Sequence, residues 1–243
     1  MVERAKSNIG EFGRIALRVR DLGPTDYRTV FDAMRAFTDT RDANSTDEIW
    51  LTEHEAIFTQ GQAGRPEHVL SPADIPVVAT DRGGQVTYHG PGQVVAYTMF
   101  DIGRMGIGVR ALVGGIESAM IAALGNWNIE AEARDDARGV YVGGRKIGAL
   151  GLRIRHGRAY HGLALNVAMD LTPFSRIDPC GLVGMDVTQV SDLGGPADLD
   201  VARAALVRKL ALGFGFDPSE ADPDRWIRGV PPTLRPPTLS GTD

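Results

Sequence analysis

The chain has one cysteine in 243 residues, Cys180, and only five histidines. One thiol cannot close an internal disulfide, and no Cys/His group has zinc-site spacing, so the sequence calls for a reducing compartment, the cytoplasm, and no metal. Long apolar runs are missing as well. The start, MVERAKSNIGEFGRIALRVR, lacks the apolar region of a signal peptide, and no stretch reaches the roughly 18 apolar residues of a spanning helix. Basic residues are outnumbered, 26 against 31, for a net charge of -5, which argues against nucleic acid as a partner. Neither GxxxxGK[ST] nor a GxGxxG opening a helix occurs, so a phosphate loop and a dinucleotide fold are not indicated. No repeat or composition break divides the chain. The expectation is a single domain over 1–243, with an ordered core over about 15–217 and a loosely held tail over 218–243 that carries paired prolines.

The hydrophobic pattern places a strand at Ile15 to Val19, then a helix with Pro24 in its first turn and Tyr27, Val30, Phe31, Met34 and Phe37 at helical spacing. Ile49 and Leu51, Ile75 to Ala79, and Val94 to Phe100 read as strands, with the glycine-rich stretch between the last two as a connecting loop. Val109, Leu112, Val113, Ile116, Met120, Ala123 and Leu124 define an amphipathic helix ending near Gly125, in spite of Gly114 and Gly115. From Ile129 to Val167 strands follow one another, turned at Gly143-Gly144 and at His156-Gly157. A last helix, Asp200 to Leu212, would carry Val201, Ala205, Leu206 and Leu210 inward. The fold class is α/β (α+β): a mixed, largely antiparallel sheet flanked by helices.

Four places are too polar or too rich in glycine for packing alone. Cys180 sits between Pro179, which restricts the backbone before it, and Gly181, which frees it after; that suits presentation of a nucleophilic sulfur. The stretch Arg82, Gly83, Gly84, Gln85, Val86, Thr87, Tyr88, His89 supplies a cation, a hydroxyl, an amphipathic ring and a proton-transfer group on an irregular backbone. Lys146 enters a strand whose Gly148, Ala149 and Gly151, with Leu150 among them, have little bulk, leaving space for an apolar chain. His161, Gly162, Leu163, Ala164 repeats that theme, with His161 as a supporting residue.

Together, RGGQVTYHGPGQ, GRKIGALGLRIR, HGLALNV and the Pro-Cys-Gly turn resemble the lipoyl(octanoyl) transferases, in order and spacing, from about His54 to Val190. The resemblance implies the fold shared with lipoate and biotin protein ligases, Cys180 as nucleophile and Lys146 as its partner. It also implies that Arg82 to His89, Ala149 to Gly151 and Gly162 to Ala164 line an acyl site. His54 to Gly61 departs from the usual wording of the corresponding family strand, which touches pocket detail. The implied reaction moves an octanoyl group from acyl carrier protein, through a thioester on Cys180, to a lysine of a lipoyl domain. Acceptors would be the lipoyl domains of 2-oxoacid dehydrogenase complexes and the glycine-cleavage H protein.

The residue chemistry is consistent with this. A free thiol is only a few per cent thiolate at neutral pH, and a positioned amine raises that fraction. No cofactor is needed, because the thioester already carries the activation. The rivals are an amidotransferase between lipoyl domains, an ATP-dependent lipoate ligase, a cysteine hydrolase using His89 or His161, and a non-enzymatic lipoyl-domain scaffold. An acidic carrier would meet Arg145, Arg153, Arg155 and Arg158, which concentrate positive charge in one hairpin.

Overall fold

The computed structural model describes residues 16–178 and 186–231. In chain order the elements are β1 (Leu17–Thr25), α1 (Tyr27–Thr40), β2 (Asp47–His54), β3 (Ile57–Gln60), β4 (Val77–Ala79), β5 (Val86–His89), β6 (Gln93–Met99), α2 (Ile102–Met105), α3 (Val109–Gly125), β7 (Glu132–Ala133), β8 (Val140–Val142), β9 (Arg145–Arg155), β10 (Arg158–Asn166), α4 (Leu199–Gly213) and β11 (Ile227–Arg228). Among the described residues the large sheet runs β11-β1-β2-β6-β10-β9-β8-β7, and a small one runs β4-β3-β5. Among the strands of the described residues, only β1 with β2, β1 with β11 and β3 with β4 pair in parallel. The sheet is therefore mixed and largely antiparallel, as the sequence implies.

Local chemistry explains where the elements begin and turn. Helix α1 starts after Asp26, whose carboxylate accepts the Thr29 N–H at 2.9 Å, satisfying a donor the helix itself leaves open. Pro24 lies not in that helix but at the end of β1, where the register with β2 shifts between Asp21 and Pro24; a proline without an N–H is tolerated at such an irregularity. Gly143 and Gly144 have φ of 55° and 79°, and His156 and Gly157 have 51° and 74°. These are the positive values that tight two-residue hairpin turns need, and they hold β8, β9 and β10 in register.

Two layers cover the two faces of the large sheet. On one face α3 and α4 bury Leu112, Ile116, Met120, Leu206 and Leu210 against Val94, Ala96, Leu163 and Leu165. Gly115 permits the close helix contact, since a Cβ there would lie 2.5 Å from the Phe214 ring. On the other face α1 sets Val30, Ala33 and Met34 against Trp50, Val95, Tyr97 and Ala164. Val201, expected inward on α4, is 45% exposed, and Ala202 and Val207 take the inward places. The glycine-rich stretch is not loop throughout: Val86 to His89 form β5, paired with β3. After Asp217 the chain makes two short 3-10 turns and then β11, whose Ile227 and Arg228 pair with Arg20 and Asp21 of β1. The folded part thus extends past the expected boundary at 217; residues 232–243 lie outside the described residues.

Candidate acyl-transfer site

A cavity of about 310 Å³ opens on the α1 side of the sheet, at the lower end of the size range of small-molecule pockets. Three sequence segments converge on it from different strands. The first runs into β5, the second lies on β9 and the third on β10, and β9 and β10 bring the last two together by direct pairing: Ala149 faces Ala164, and Gly151 faces Gly162. Arg82, Gly84, Gln85, Val86, Thr87 and His89 border the cavity, as do Ala149, Leu150 and Gly151, and Gly162, Leu163 and Ala164. Lys146 borders it too and is 8% exposed.

Two of the expected lining residues do not reach it. Tyr88 packs in the opposite direction, its ring 5.5 Å from Phe58 and 5.4 Å from Phe174. Alternation along β5 accounts for this, because Thr87 and His89 take the cavity side. Gly83 instead donates its N–H to Leu152 O at 2.8 Å, which anchors the loop to β9. The glycines also leave less room than their small size suggests. A Cβ on Gly148 would lie 2.8 Å from Met120 Sδ, one on Gly151 2.7 Å from Gly83 O, and one on Gly162 inside contact distance of Ala96 O. They permit close approach of backbones and helices; cavity width next to the strands comes from Ala149 and Ala164.

Most polar groups around the cavity are held by partners, whereas Gln85 Oε1 and His161 Nδ1 are buried with none among the described residues. Arg82 is 8% exposed, and its guanidinium donates to Thr59 O at 2.6 Å and Thr59 Oγ1 at 2.9 Å. Its loop is clamped along its backbone by Gly61, Gln62 and Ala63, whose N–H groups donate to Gln85, Arg82 and Gly84. His89 Nδ1 lies 2.8 Å from Gln93 Oε1, Gln93 Nε2 donates to Asn166 Oδ1 at 2.9 Å, and Asn166 Nδ2 donates to Thr188 O at 3.0 Å. This chain ties β5, β6 and β10 together at one wall. Sequence reasoning quoted Gln93 and Asn166 inside motifs but gave them no role; a polar residue at the same end of two neighbouring strands was the available signal.

Burial favours the neutral form of His54, His89 and His161. It pushes His89 down to about 3 and His54 down to about 4, since an apolar surrounding disfavours the imidazolium. His54 Nε2 lies 2.6 Å from Tyr97 OH, and burial raises Tyr27 to about 12. His161 Nε2 meets Asp81 Oδ1 at 2.8 Å, and Tyr160 OH bonds the other oxygen of that carboxylate. Burial lowers His161, against the pull of Asp81. Its backbone has φ 61°, a left-handed value uncommon outside glycine, just before pairing with β6 begins at Gly162. His161 therefore fixes the Asp81 end of the loop to β10.

Lys146 is fixed along its backbone on both sides. Its N–H donates to Asp186 O at 2.9 Å and its carbonyl accepts the Thr188 N–H at 2.9 Å. Its Nζ stands 5.5 Å from the centre of the Tyr141 ring. Cys180 lies outside the described residues, whose nearest parts are Asp178, bonded through its N–H to His68 O, and Asp186, bonded to Lys146. Of the hairpin arginines, Arg155 is ion-paired with Asp39 at 3.1 Å, Arg158 faces Asp101 at 3.8 Å, and Arg153 donates to Gln62 at 2.8 Å. Arg145 is exposed at the turn.

The match to known families covers this entire arrangement. Residues 26–211 fit the model of the lipoyl protein ligase A/B catalytic domain. The chain belongs to that family. Within it, an octanoyltransferase from Xanthomonas campestris pv. campestris (strain B100) is 58% identical over 209 residues, covering 85% of this chain and 90% of the relative. The fold agrees with that of lipoate-protein ligase A solved with ATP, at a TM-score of 0.70 and 18% identity, over 84% of this chain and 87% of the other. A biotin protein ligase from Aquifex aeolicus, solved with biotin and ATP, superposes with a TM-score of 0.53 at 9% identity, over 81% and 70%. The lipoate and biotin ligase fold expected from the resemblance is thus the fold of this family member. Among the described residues no helix is long and apolar enough to cross a membrane.

Proposed function

We infer that this protein is an octanoyltransferase that moves an octanoyl group from acyl carrier protein to the target lysine of lipoyl domains. The observation that carries the reading is 58% identity to a curated octanoyltransferase over 85% of the chain, a span that includes every cavity segment. The cavity adds a physical reason: much of its wall is made of the aliphatic and small side chains of β9 and β10, and Arg82, His89, Gln93 and Asn166 around it are bonded to protein partners. A medium alkyl chain suits the apolar part of that wall.

In this mechanism Cys180 attacks the carrier thioester, the carrier thiol leaves, and the acyl group rests on Cys180 as a thioester. The acceptor amine then attacks the thioester, Cys180 leaves as thiolate, and an amide forms. Lys146 serves both steps as the proton-transfer partner, taking the Cys180 thiol proton and passing it to the departing carrier thiolate, then taking a proton from the acceptor amine and returning it to the Cys180 thiolate. Support comes from its burial at the cavity border and from its backbone bond to Asp186, a few positions after Cys180 in the chain. Backbone N–H groups near Gly181 and in the Lys146 to Gly148 region stabilise the oxyanion. The donor docks against the hairpin face carrying Arg145 and Arg153, and the reaction takes place in the cytoplasm.

Intact-mass measurement tests the scheme. Enzyme mixed with octanoyl-acyl carrier protein alone gains one octanoyl mass on the peptide containing Cys180, and apo lipoyl domain discharges it. Active enzyme without that adduct under rapid quench, or with the acyl group on Lys146, overturns the two-step scheme.

A further inference from the structure

We propose that Glu117 is a positioning residue for the amine of Lys146, an inference that rests on the assignment of Lys146 as the proton-transfer partner. Helix α3 buries its apolar side against the sheet, and Glu117 lies within that side at 2% exposure. A carboxylate removed from water there costs several kcal/mol unless its oxygens are satisfied. Oε1 accepts the Gly139 N–H at 3.0 Å, and Oε2 faces Arg138 Nη1 at 3.6 Å. Both partners belong to the segment just before β8. Tyr141 ties the same segment a second time, its OH donating to Ala137 O at 2.8 Å.

What this segment holds in place is the end of the lysine. Gly139 has φ 135°, and a Cβ on it would lie 2.6 Å from Lys146 Cε and 3.2 Å from Nζ. The bare backbone of Gly139 is thus one wall of the channel in which the side chain lies, and the Tyr141 ring is another. The Lys146 backbone is already fixed by Asp186 and Thr188, so the freedom left is that of the flexible four-carbon stem. Glu117 restricts it at one remove, by holding the Gly139 amide and hence the wall. Leucine or methionine would pack in the same place on α3 at lower desolvation cost, but neither accepts that N–H. Ala137 and Arg138 border the cavity beside Lys146, so a shift of this segment would also shift the site.

The test compares Glu117→Met, which keeps bulk without an acceptor, with Glu117→Gln, which keeps an acceptor oxygen. Melting temperature is measured alongside kcat and KM for octanoyl-acyl carrier protein. In Glu117→Met, kcat falls by about 30-fold or more while donor KM moves less than about 2-fold, the signature of a misplaced group rather than a lost binding contact. Glu117→Gln recovers most of that loss. A Met variant with parental kcat, or equal losses in both variants, overturns the proposal. Should Glu117→Met not fold, Gly139→Ala decides: a kcat loss at unchanged KM supports the wall, and parental kcat overturns it. Lys146→Arg run beside them separates the two readings. Near-normal transfer by Lys146→Arg defeats the assignment of Lys146 itself, whereas its inactivity combined with a fully active Glu117→Met defeats only the positioning role.

Discussion

The two faces of the large sheet are buried in different ways. The face under α3 and α4 is close to a pure hydrocarbon core, with Leu112, Ile116, Met120, Leu206, Val207 and Leu210 all at 0% exposure. The face under α1 is interrupted by histidines, tyrosines, Arg82 and a cavity, and its buried polar groups are joined in defined chains such as His89–Gln93–Asn166–Thr188. Nonspecific burial stabilises the first face, while the second needs directional bonds to hold groups in place. Glu117 on α3 excepted, stability and the proposed chemistry are therefore separated across one sheet, and substitutions on the two sides should act on different observables.

The largest expected effect is chemical. Cys180→Ser lowers turnover by about a thousand-fold or more, because serine is a far poorer nucleophile at neutral pH; the melting temperature stays within a few degrees of the parent. Lys146→Arg behaves alike, since a guanidinium does not accept a proton. Loss of the folded state in either variant would break the separation between the faces.

Next come changes that act on stability. Gly162→Ala drives a Cβ against Ala96 O, a backbone atom of the paired strand that has no room to move; the expected cost is about 3 kcal/mol or more. On the helix-covered face, Leu206→Ala should cost about 2 to 5 kcal/mol through the cavity it leaves, with kcat nearly unchanged at a temperature where the variant is folded. A fall in kcat without a fall in denaturation midpoint would show that the hydrocarbon contacts of this face, and not Glu117 alone, shape the site.

Acid should reveal the polar face specifically. His54 and His89 are held down to about 4 and about 3 in the fold, while an unfolded histidine titrates near 6.5. The unfolded chain binds more protons below about pH 6.5, so stability is full above that value and falls as pH drops toward about 4. The slope approaches about 1.4 kcal/mol per pH unit for each histidine. Urea midpoints at pH 7 and pH 5 measure this, and His54→Asn should flatten the slope; an unchanged slope would remove His54 from the account. The smallest effect is expected at Gly114 on α3, where an added Cβ meets nothing within 4 Å. Gly114→Ala should stabilise by about 0.5 to 1 kcal/mol, read as a small rise in melting temperature with transfer unaffected.

Much of this was legible in the residues themselves. Helical spacing marked α1, α3 and α4, alternation of Ile49 and Leu51 with polar neighbours marked β2, a β-branched and aromatic run marked β6, and Gly143-Gly144 and His156-Gly157 marked the hairpins, because each of these signals arises from interactions a few residues apart. The motifs also named the three segments that meet at the cavity. Other features depended on residues distant in sequence. Tyr88 left the site because β3 pairing set the alternation of β5, and Gly148 and Gly162 gave no room because Met120 and Ala96 occupy the space beside them. Val201 turned outward because the buried stripe of α4 runs through Ala202, Leu206 and Leu210 at i, i+4 spacing and leaves Val201 beside it.

The sequence alone determined the order of elements, the single thiol set between Pro179 and Gly181 and the small residues of β9 and β10, since local backbone preference and side-chain size are properties of neighbouring residues. Only the tertiary structure decided that Ala149 faces Ala164, that Asn166 completes a chain reaching His89, and that a carboxylate on α3 holds the backbone against Lys146. Those arrangements join residues from 15 to 73 positions apart, and they exist only once strand register and helix packing have brought the partners within bonding distance.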